Sequence, residues 1–211
     1  MKSDSAVKYA PKCQEKFHGE TPYCVCFNLI DPRREHVFAT VGDQKVRIFE
    51  VEESSIEGKE NSPSFKVLQE YEEKNERENL FTCAWSMDAA GDSLLCFGGQ
   101  LGIVKVINIE KKRLEKVLPG HGNSINELKS HPTKPALILS ASKDESIRIW
   151  NIQTGAVVMI FAGLEGHRSD VLSADFHQLN GERLVSGGID NTVKIWDLQG
   201  NPRRFFIIEC L

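Results

Sequence analysis

Two stretches of this sequence match each other along their whole length: GHGNSINELKSHPTKPALILSASKDESIRIW (residues 120–150) and GHRSDVLSADFHQLNGERLVSGGIDNTVKIW (residues 166–196). They align without an insertion at an offset of 46 residues. A Gly-His pair, a serine, an aspartate and a tryptophan recur at that offset, and apolar positions recur with them. A repeat of this length indicates an architecture in which each copy buries its apolar face against the next copy.

The recurring residues are typical of the WD40 blade, a four-stranded sheet of a β-propeller with a usual period of about 40 to 45 residues. In such a blade the histidine, serine and aspartate can hydrogen-bond in series to the tryptophan indole N–H, so that each buried polar group has a partner. We therefore predict two structural networks without a catalytic role: His121, Ser140, Asp144 and Trp150 in one blade, and His167, Ser186, Asp190 and Trp196 in the next.

Two weaker copies of the pattern lie upstream. The third strands of the four copies read VRIFEV, VKVINI, IRIWNI and VKIWDL, and they end near Phe49, Ile107, Trp150 and Trp196. Their period-two alternation predicts half-buried strands. The first copy keeps Asp43, six residues before Phe49. The second has Leu101 and Phe97 at the Asp and Ser positions, so we expect apolar packing to replace its polar network.

The predicted fold is therefore an all-β WD40 β-propeller with four recognisable blades inside residues 21–198. The blades fall near residues 21–52, 78–110, 121–152 and 167–198. Residues 1–20 are predicted to be either disordered or a strand that closes the last blade onto the first, and residues 199–211 are a divergent tail. The segment 50–78 contains ten glutamates and few apolar residues, which favours a solvated, mobile loop where a basic partner could dock.

Composition limits the function classes. The net charge is −4, which does not favour bulk attraction to nucleic acid. No apolar run approaches 18 residues and no apolar segment follows a basic start, so neither a membrane span nor a secretory signal is predicted. The six cysteines form no CxxC pair, and Cys24 and Cys26 fall on one face of a predicted strand. Reduced thiols are favoured over disulfides or zinc, which indicates the cytoplasm or nucleus.

Catalytic and cofactor motifs are not found. The chain has no GxSxG, GxxxxGK, HExxH or GxGxxG pattern, and its histidines lack metal-ligand spacing. Gly98, Gly99 and Gly102 superficially resemble a dinucleotide loop, but a βαβ context is absent. The sequence therefore predicts a binding protein with no enzyme activity, no cofactor and no metal site.

Several strings narrow the family. ENLFTCAWSMD at residues 78–88, GHGNSINELKSHP at 120–132, SKDESIRIWNIQTG at 142–155 and IFAGLEGHRSDVLSADFH at 160–177 closely resemble the extra sex combs / embryonic ectoderm development family of Polycomb proteins. FNLIDPRREHVFATVGDQKVRIFE at 27–50 resembles the first blade of that family. The resemblance implies four blades of a seven-bladed propeller. It further implies a nuclear, non-catalytic scaffold subunit of Polycomb repressive complex 2 that supports gene silencing. The implied partners are an Enhancer of zeste type SET-domain methyltransferase, the other subunits of that complex and the histone H3 tail.

The family reads trimethyl-lysine with an aromatic cage, because a cation without N–H donors is best held by π faces. By motif, the resemblance assigns two cage positions here: Tyr23, in TPYCVCFN, and Phe81, in NLFTCAW. The alternative interpretation is that both rings pack a strand entry. The remaining cage aromatics of the family lie in later blades, and the sequence after Trp196 departs from the family pattern.

Two other functions remain open at this point. A WD40 substrate receptor of a ubiquitin ligase shares the blade pattern, but many such receptors carry Trp-Asp-x-Arg where this chain has Gln153 and Gln199. A truncated chain without function is the third hypothesis. We expect four blades of this geometry to form an open arc with an exposed edge, which is a liability for aggregation.

Overall fold

Four antiparallel sheets of four strands each make up the fold in the computed structural model of the protein. The structure describes residues 21–52 and 64–199, and it describes residues 205–209 as a strand. Short 3-10 turns at Pro32–Arg34 and Gly163–Glu165 are the helical elements among these residues. No helix in the described part of the chain is long and apolar enough to cross a membrane.

The strands follow one another in chain order within each sheet. The first sheet contains β1 (Cys24–Phe27), β2 (Val37–Gly42), β3 (Lys45–Glu52) and β4 (Ser64–Glu72). The second contains β5 (Leu80–Met87), β6 (Ser93–Gly99), β7 (Ile103–Asn108) and β8 (Arg113–Pro119). The third contains β9 (Ile125–Ser130), β10 (Leu137–Ser142), β11 (Ile147–Asn151) and β12 (Ala156–Phe161). The fourth contains β13 (Val171–Phe176), β14 (Arg183–Gly188), β15 (Thr192–Asp197) and β16 (Phe205–Glu209).

The sheets are arranged around their first strands. β1 contacts β5, β5 contacts β9, and β9 contacts β13, so the innermost strands of successive sheets are neighbours. Residues of all four innermost strands line one groove of about 460 Å³. This radial arrangement of four-stranded antiparallel sheets confirms the predicted all-β propeller fold.

Each interface between neighbouring sheets has its own apolar core. Trp85 is buried between the first and second sheets, Trp150 between the second and third, and Trp196 between the third and fourth. The faces are built by period-two strands, whose alternate side chains point into one interface or the next. Burial is therefore continuous from sheet to sheet, although each sheet alone has too little core to be stable.

The prediction of a mobile loop over residues 50–78 is wrong for its second half. Residues 64–72 form β4, which pairs with β3 along its length. Phe65 packs on Phe38 and Phe49, with ring centroids 5.8 and 5.6 Å apart. The glutamates misled the prediction because an outermost strand keeps one face in water, where charged side chains are tolerated. Residues 53–63 lie outside the described residues.

The predicted boundary at residue 198 omits one strand. β16, at Phe205–Glu209, pairs with β15 and completes the fourth sheet, so part of the divergent tail belongs to the blade. The N-terminal segment 1–20, predicted as disordered or as a closing strand, lies outside the described residues.

Three innermost strands carry a bulge at the same place. The pairing of β5, β9 and β13 with their neighbours skips one residue each, namely Phe81, Asn126 and Leu172. A bulge re-aims the side chain of the extra residue and leaves it out of the ladder. These three residues are therefore equivalent positions of three successive blades.

The close approach of Gly181 to His131 leads to a prediction about the stability of the interface between the third and fourth sheets. Gly181 has φ +67°, and a Cβ there would lie 2.2 Å from His131 Cε1. The His131 ring itself packs on Phe176 of the fourth sheet, with centroids 4.7 Å apart. We expect Gly181→Ala to lower the free energy of unfolding by about 3 kcal/mol, since backbone strain of about 1–2 kcal/mol adds to the displacement of the ring.

Gly91→Ala is the matched control, because Gly91 has φ +85° but nothing within 4 Å of an added Cβ. Denaturant unfolding should show a loss of about 1–2 kcal/mol for the control. Equal losses in the two variants would mean that the His131 contact does not stabilise the interface.

Candidate functional site

The network predicted for the third blade is assembled through Ser140. The Trp150 indole N–H donates to Ser140 Oγ at 2.8 Å, and His121 Nε2 lies 2.7 Å from the same oxygen. His121 Nδ1 lies 2.9 Å from Asp144 Oδ2, which also accepts the backbone N–H of Gly122 at 2.9 Å. The series therefore joins the turn before β11 to the chain that enters β9.

The fourth blade repeats this arrangement. The Trp196 indole N–H donates to Ser186 Oγ at 2.9 Å, and His167 Nε2 lies 2.8 Å from that oxygen. His167 Nδ1 lies 3.0 Å from both carboxylate oxygens of Asp190. The Oδ2 atom of Asp190 accepts the backbone N–H of Arg168 at 2.8 Å. All eight residues assigned from the offset are thus brought together in two sets of four.

One assignment of protons satisfies every group in each set. An indole N–H can only donate, so the serine oxygen accepts from it and directs its own O–H to histidine Nε2. The histidine proton then sits on Nδ1 and is donated to the carboxylate. Buried polar groups that are all paired in this way stabilise one arrangement of the blade, whereas an unpaired member would be costly. With this assignment each of the eight side chains has a hydrogen-bond partner within its own blade.

The aspartates of the two networks are held ionised. Burial alone would raise the pKa of Asp144, but hydrogen bonds from His121, Ser146 and the Gly122 N–H outweigh it and lower that pKa. Burial likewise opposes a lowered pKa at Asp190, where the Arg168 N–H and the His167 side chain prevail. Both carboxylates are therefore anionic acceptors at neutral pH.

The first blade keeps one contact of this pattern. Asp43 Oδ2 accepts the backbone N–H of Thr21 at 3.1 Å, as Asp144 accepts Gly122 and Asp190 accepts Arg168. The aspartate thus binds the incoming chain even where the serine and tryptophan are missing.

The second blade replaces the network with a buried charge pair. Glu78 is fully buried, and its Oε1 accepts the backbone N–H of Leu101 at 3.1 Å. Its Oε2 lies 4.0 Å from Lys105 Nζ, which also contacts the carboxylate of Glu73. Burial raises the pKa of Glu78. Phe97 packs on Tyr71, with ring centroids 5.3 Å apart, so the expected apolar packing accounts for only part of this blade.

Sequence reasoning missed Glu78, although a signal was present. Glu78 precedes Leu101 by 23 residues, the same spacing that separates His121 from Asp144. A carboxylate therefore stands at the histidine position, and the leucine supplies only its backbone N–H.

The two aromatic residues assigned as cage positions lie against each other. The rings of Tyr23 and Phe81 have centroids 5.6 Å apart and planes at 89°. Tyr23 directly precedes β1 and is 55% exposed, while Phe81 is the half-buried bulge residue of β5. Asn126 and Leu172 occupy the equivalent bulge positions of the next two blades, and Asn126 Nδ2 donates to the Val171 carbonyl at 2.7 Å.

The described residues contain neither a metal-binding group nor a disulfide bond. Within them, no group of three or more His, Cys, Asp or Glu side chains is arranged to hold a metal ion. Cys24, Cys26, Cys83 and Cys96 are free thiols, while Cys13 and Cys210 lie outside the described part of the chain.

Comparisons with known proteins agree with this geometry. The family model described as WD domain, G-beta repeat, matches residues 112–151 and 159–197. The chain is 44% identical over 194 residues to Polycomb group protein FIE2 of Zea mays, a match that covers 91% of this chain and 49% of the relative. It is 40% identical over 199 residues to Polycomb protein esc of Drosophila melanogaster, covering 93% of this chain and 44% of that protein. The chain belongs to the extra sex combs / embryonic ectoderm development family of Polycomb proteins.

Solved structures of this family share the fold. The crystal structure of Polycomb Repressive Complex 2 from Chaetomium thermophilum contains a chain similar to this one, with a TM-score of 0.77 and 30% identity. That match covers 90% of this chain and 40% of the solved chain. A structure of ctPRC2 in complex with H3K27me3 and H3K27M matches with a TM-score of 0.76 and 31% identity, covering 87% of this chain and 38% of the other. The chain spans about half the length of the curated family members that it matches.

The network of the fourth blade generates a stability prediction. Replacing Asp190 by Ala leaves His167 Nδ1 and the Arg168 N–H without their acceptor. We expect a loss of about 1–3 kcal/mol in the free energy of unfolding, because the buried His167 loses its charged acceptor. Chemical denaturation followed by tryptophan fluorescence measures it.

The matched control is Asp175→Ala in the same sheet, which removes a surface hydrogen bond from Gln178. It should cost less than about 0.5 kcal/mol. A loss at Asp190 no larger than at Asp175 would contradict the stabilising role of the network.

The lowered pKa values of Asp144 and Asp190 predict an acid limit to stability. Since the unfolded value is about 3.9, the unfolded chain binds protons first as the pH falls. The contribution of the two carboxylates is therefore complete above about pH 5 and is lost as the pH falls below about 4.

Unfolding curves between about pH 3 and pH 7 should show this decline, and it should be shallower in the Asp144→Asn, Asp190→Asn double variant. Some slope should remain, because hydrogen bonds from Arg33 also lower the pKa of Asp31, to about 2. An unchanged slope in the double variant would exclude the network aspartates as its cause.

Proposed function

We propose that this chain is a non-catalytic WD40 scaffold of a Polycomb histone H3 methyltransferase complex and that it reads trimethyl-lysine on the histone tail. The observation that carries the proposal is the perpendicular contact of Tyr23 and Phe81, at the two positions where the family resemblance expects cage aromatics. The location that follows for such a subunit is the nucleus.

The ring geometry suits a quaternary ammonium ion. Two perpendicular rings with centroids 5.6 Å apart form adjacent walls of a corner. Cation–π attraction acts within about 6 Å of a ring centroid, so one methylated ammonium group can reach both rings. The group has no N–H donor, and the faces of aromatic rings therefore suit it better than carboxylates alone.

The position of the two rings suits a peptide ligand. Both lie at the start of innermost strands of neighbouring blades, and the Tyr23 ring remains exposed. The bulge at Phe81 takes that side chain out of the regular alternation of β5. Rings so placed are accessible to an extended histone tail without any rearrangement of the sheets.

The partners follow from the family. The similar solved chains come from Polycomb Repressive Complex 2, in one case together with H3K27me3. By analogy, the partners of this chain are a SET-domain methyltransferase of the Enhancer of zeste type, other subunits of that complex and the H3 tail. Catalysis then belongs to the methyltransferase, and the WD40 chain contributes binding. No direct sequence-specific contact with nucleic acid is part of this proposal.

Titration with trimethylated and unmethylated histone peptides tests the proposal. Two rings supply only part of the energy of a complete cage, about 0.5–1 kcal/mol each at exposed sites. This chain alone should therefore bind the trimethylated peptide at about millimolar Kd and the unmethylated peptide more weakly. Tyr23→Ala and Phe81→Ala should each remove about half of the free-energy preference for the methylated peptide, about 0.5–1 kcal/mol.

Phe27→Ala is the matched control, an exposed aromatic on β1 whose ring packs on Phe38 instead. NMR or fluorescence titration of the three variants measures the effect. A preference that survives both cage substitutions, or is lost equally in the control, would reject the cage assignment.

A further inference from the structure

Three thiols meet where the first sheet contacts the second. Cys24 and Cys26 stand two residues apart on β1 and share one face of the strand, and Cys83 of β5 lies opposite them. Cys26 Sγ lies 3.3 Å from Cys83 Sγ, and Cys24 Sγ lies 3.8 Å from it. Neither the scaffold role nor the methyl-lysine site uses these sulfur atoms.

The cluster is accessible from the central groove. All three cysteines are among the residues that line the groove of about 460 Å³ between the innermost strands. Cys24 and Cys26 are half-buried, and Cys83 is buried behind them. A small solute such as a peroxide can therefore reach the half-buried β1 thiols more readily than the buried Cys83.

We propose that Cys24, Cys26 and Cys83 form a peroxide-reactive thiol site, whose oxidation product is a disulfide between Cys83 and a cysteine of β1. The sulfur atoms need to approach by about 1.3 to 1.8 Å to reach the bond length of about 2.05 Å. Cross-strand contacts of this closeness let a side-chain rotation supply most of that movement. This inference is independent of the proposed histone binding.

The charge distribution supports Cys24 as the reactive thiol. Hydrogen bonds from Cys26 and Cys83 lower the pKa of Cys24, and the ammonium group of Lys129 acts in the same direction. The same shared hydrogen bonds raise the pKa of Cys83, with burial adding to the effect. These hydrogen bonds favour the thiolate of Cys24, and the thiolate is the nucleophilic form of cysteine.

The oxidation balances with one peroxide per disulfide. The Cys24 thiolate attacks a peroxide oxygen, so that an S–O bond forms, the O–O bond breaks and the leaving oxygen is protonated to water. The Cys83 sulfur then loses its proton and attacks the Cys24 sulfenic acid, so that the S–S bond forms and the hydroxyl leaves as a second water. Two thiols lose two electrons and hydrogen peroxide gains them. Cys26 can afterwards exchange with Cys24 by attack on the Cys83 sulfur.

The product would tie two blades together beside the aromatic pair. Tyr23 precedes Cys24 in the chain, and Phe81 stands two residues before Cys83. A covalent link between β1 and β5 therefore restricts the separation of the strands that carry the two rings.

Treatment of the purified protein with one equivalent of hydrogen peroxide tests the site. After alkylation of the remaining thiols, mass spectrometry should show a loss of two hydrogens and a peptide link between the 24–26 segment and Cys83, reversed by dithiothreitol. The Cys96→Ala variant should form the link at the same rate, since Cys96 is buried in a different interface. This substitution also leaves Cys83 as the single cysteine in its tryptic peptide, so that the link can be assigned to it.

Two further variants keep the proposal open to refutation. The Cys26→Ser, Cys83→Ser double variant lacks both neighbouring thiols, so it should form no link and should accumulate a sulfenic acid at Cys24 that a dimedone probe labels. Cys24→Ser should form the link at least ten times more slowly. The proposal is overturned if the parent protein forms no link with Cys83, or if Cys24→Ser reacts at the parent rate.

Discussion

The hydrogen bond from a buried indole to a serine hydroxyl is the interaction on which the geometry of the third and fourth blades depends. Trp150 and Trp196 each lie inside an interface between two sheets, where an unpaired N–H would be costly. The serine oxygen accepts the indole N–H, and the serine O–H donates to a histidine. The other ring nitrogen of that histidine hydrogen-bonds to an aspartate beside the incoming chain. Burial of one large side chain is therefore linked, through these hydrogen bonds, to the place where the first strand of the same blade begins.

The aspartate is the most persistent member of this series. In the first blade Asp43 still accepts the backbone N–H of the residue that enters β1, although the other members are replaced. In the second blade Glu78 inverts the relation, because the carboxylate comes from the entering chain and the N–H from Leu101 of the turn. The blade thus requires an acceptor between turn and entering chain, but not from a particular side of the contact. Lys105 Nζ, 4.0 Å from Glu78 Oε2, offsets part of the cost of burying that carboxylate.

The sequence predicts the fold correctly where the same polar residues recur at a fixed offset. It fails for β4, where the prediction rested on amino-acid composition alone. The third strands and the two networks follow from the matched positions, because each residue type has one role there. β4 was mistaken for a loop, since glutamates on an outermost strand resemble a solvated segment. The bulges at Phe81, Asn126 and Leu172 leave no mark in the alternation of one strand. They emerge only from the pairing of neighbouring strands.

The repeated bulge places one side chain of each innermost strand outside the strand pairing that stabilises the blade. The extra residue lies outside the ladder, so its side chain makes no cross-strand pair within its own sheet and can differ between blades without changing the strand pairing. The same backbone position carries an aromatic ring in one blade, an amide in the next and an aliphatic chain in the third. Ligand preference in such a scaffold can diverge one side chain at a time, while the tryptophan interfaces stay as they are. The bulge residue of each innermost strand can therefore change independently of the neighbouring residues that pair within the sheet.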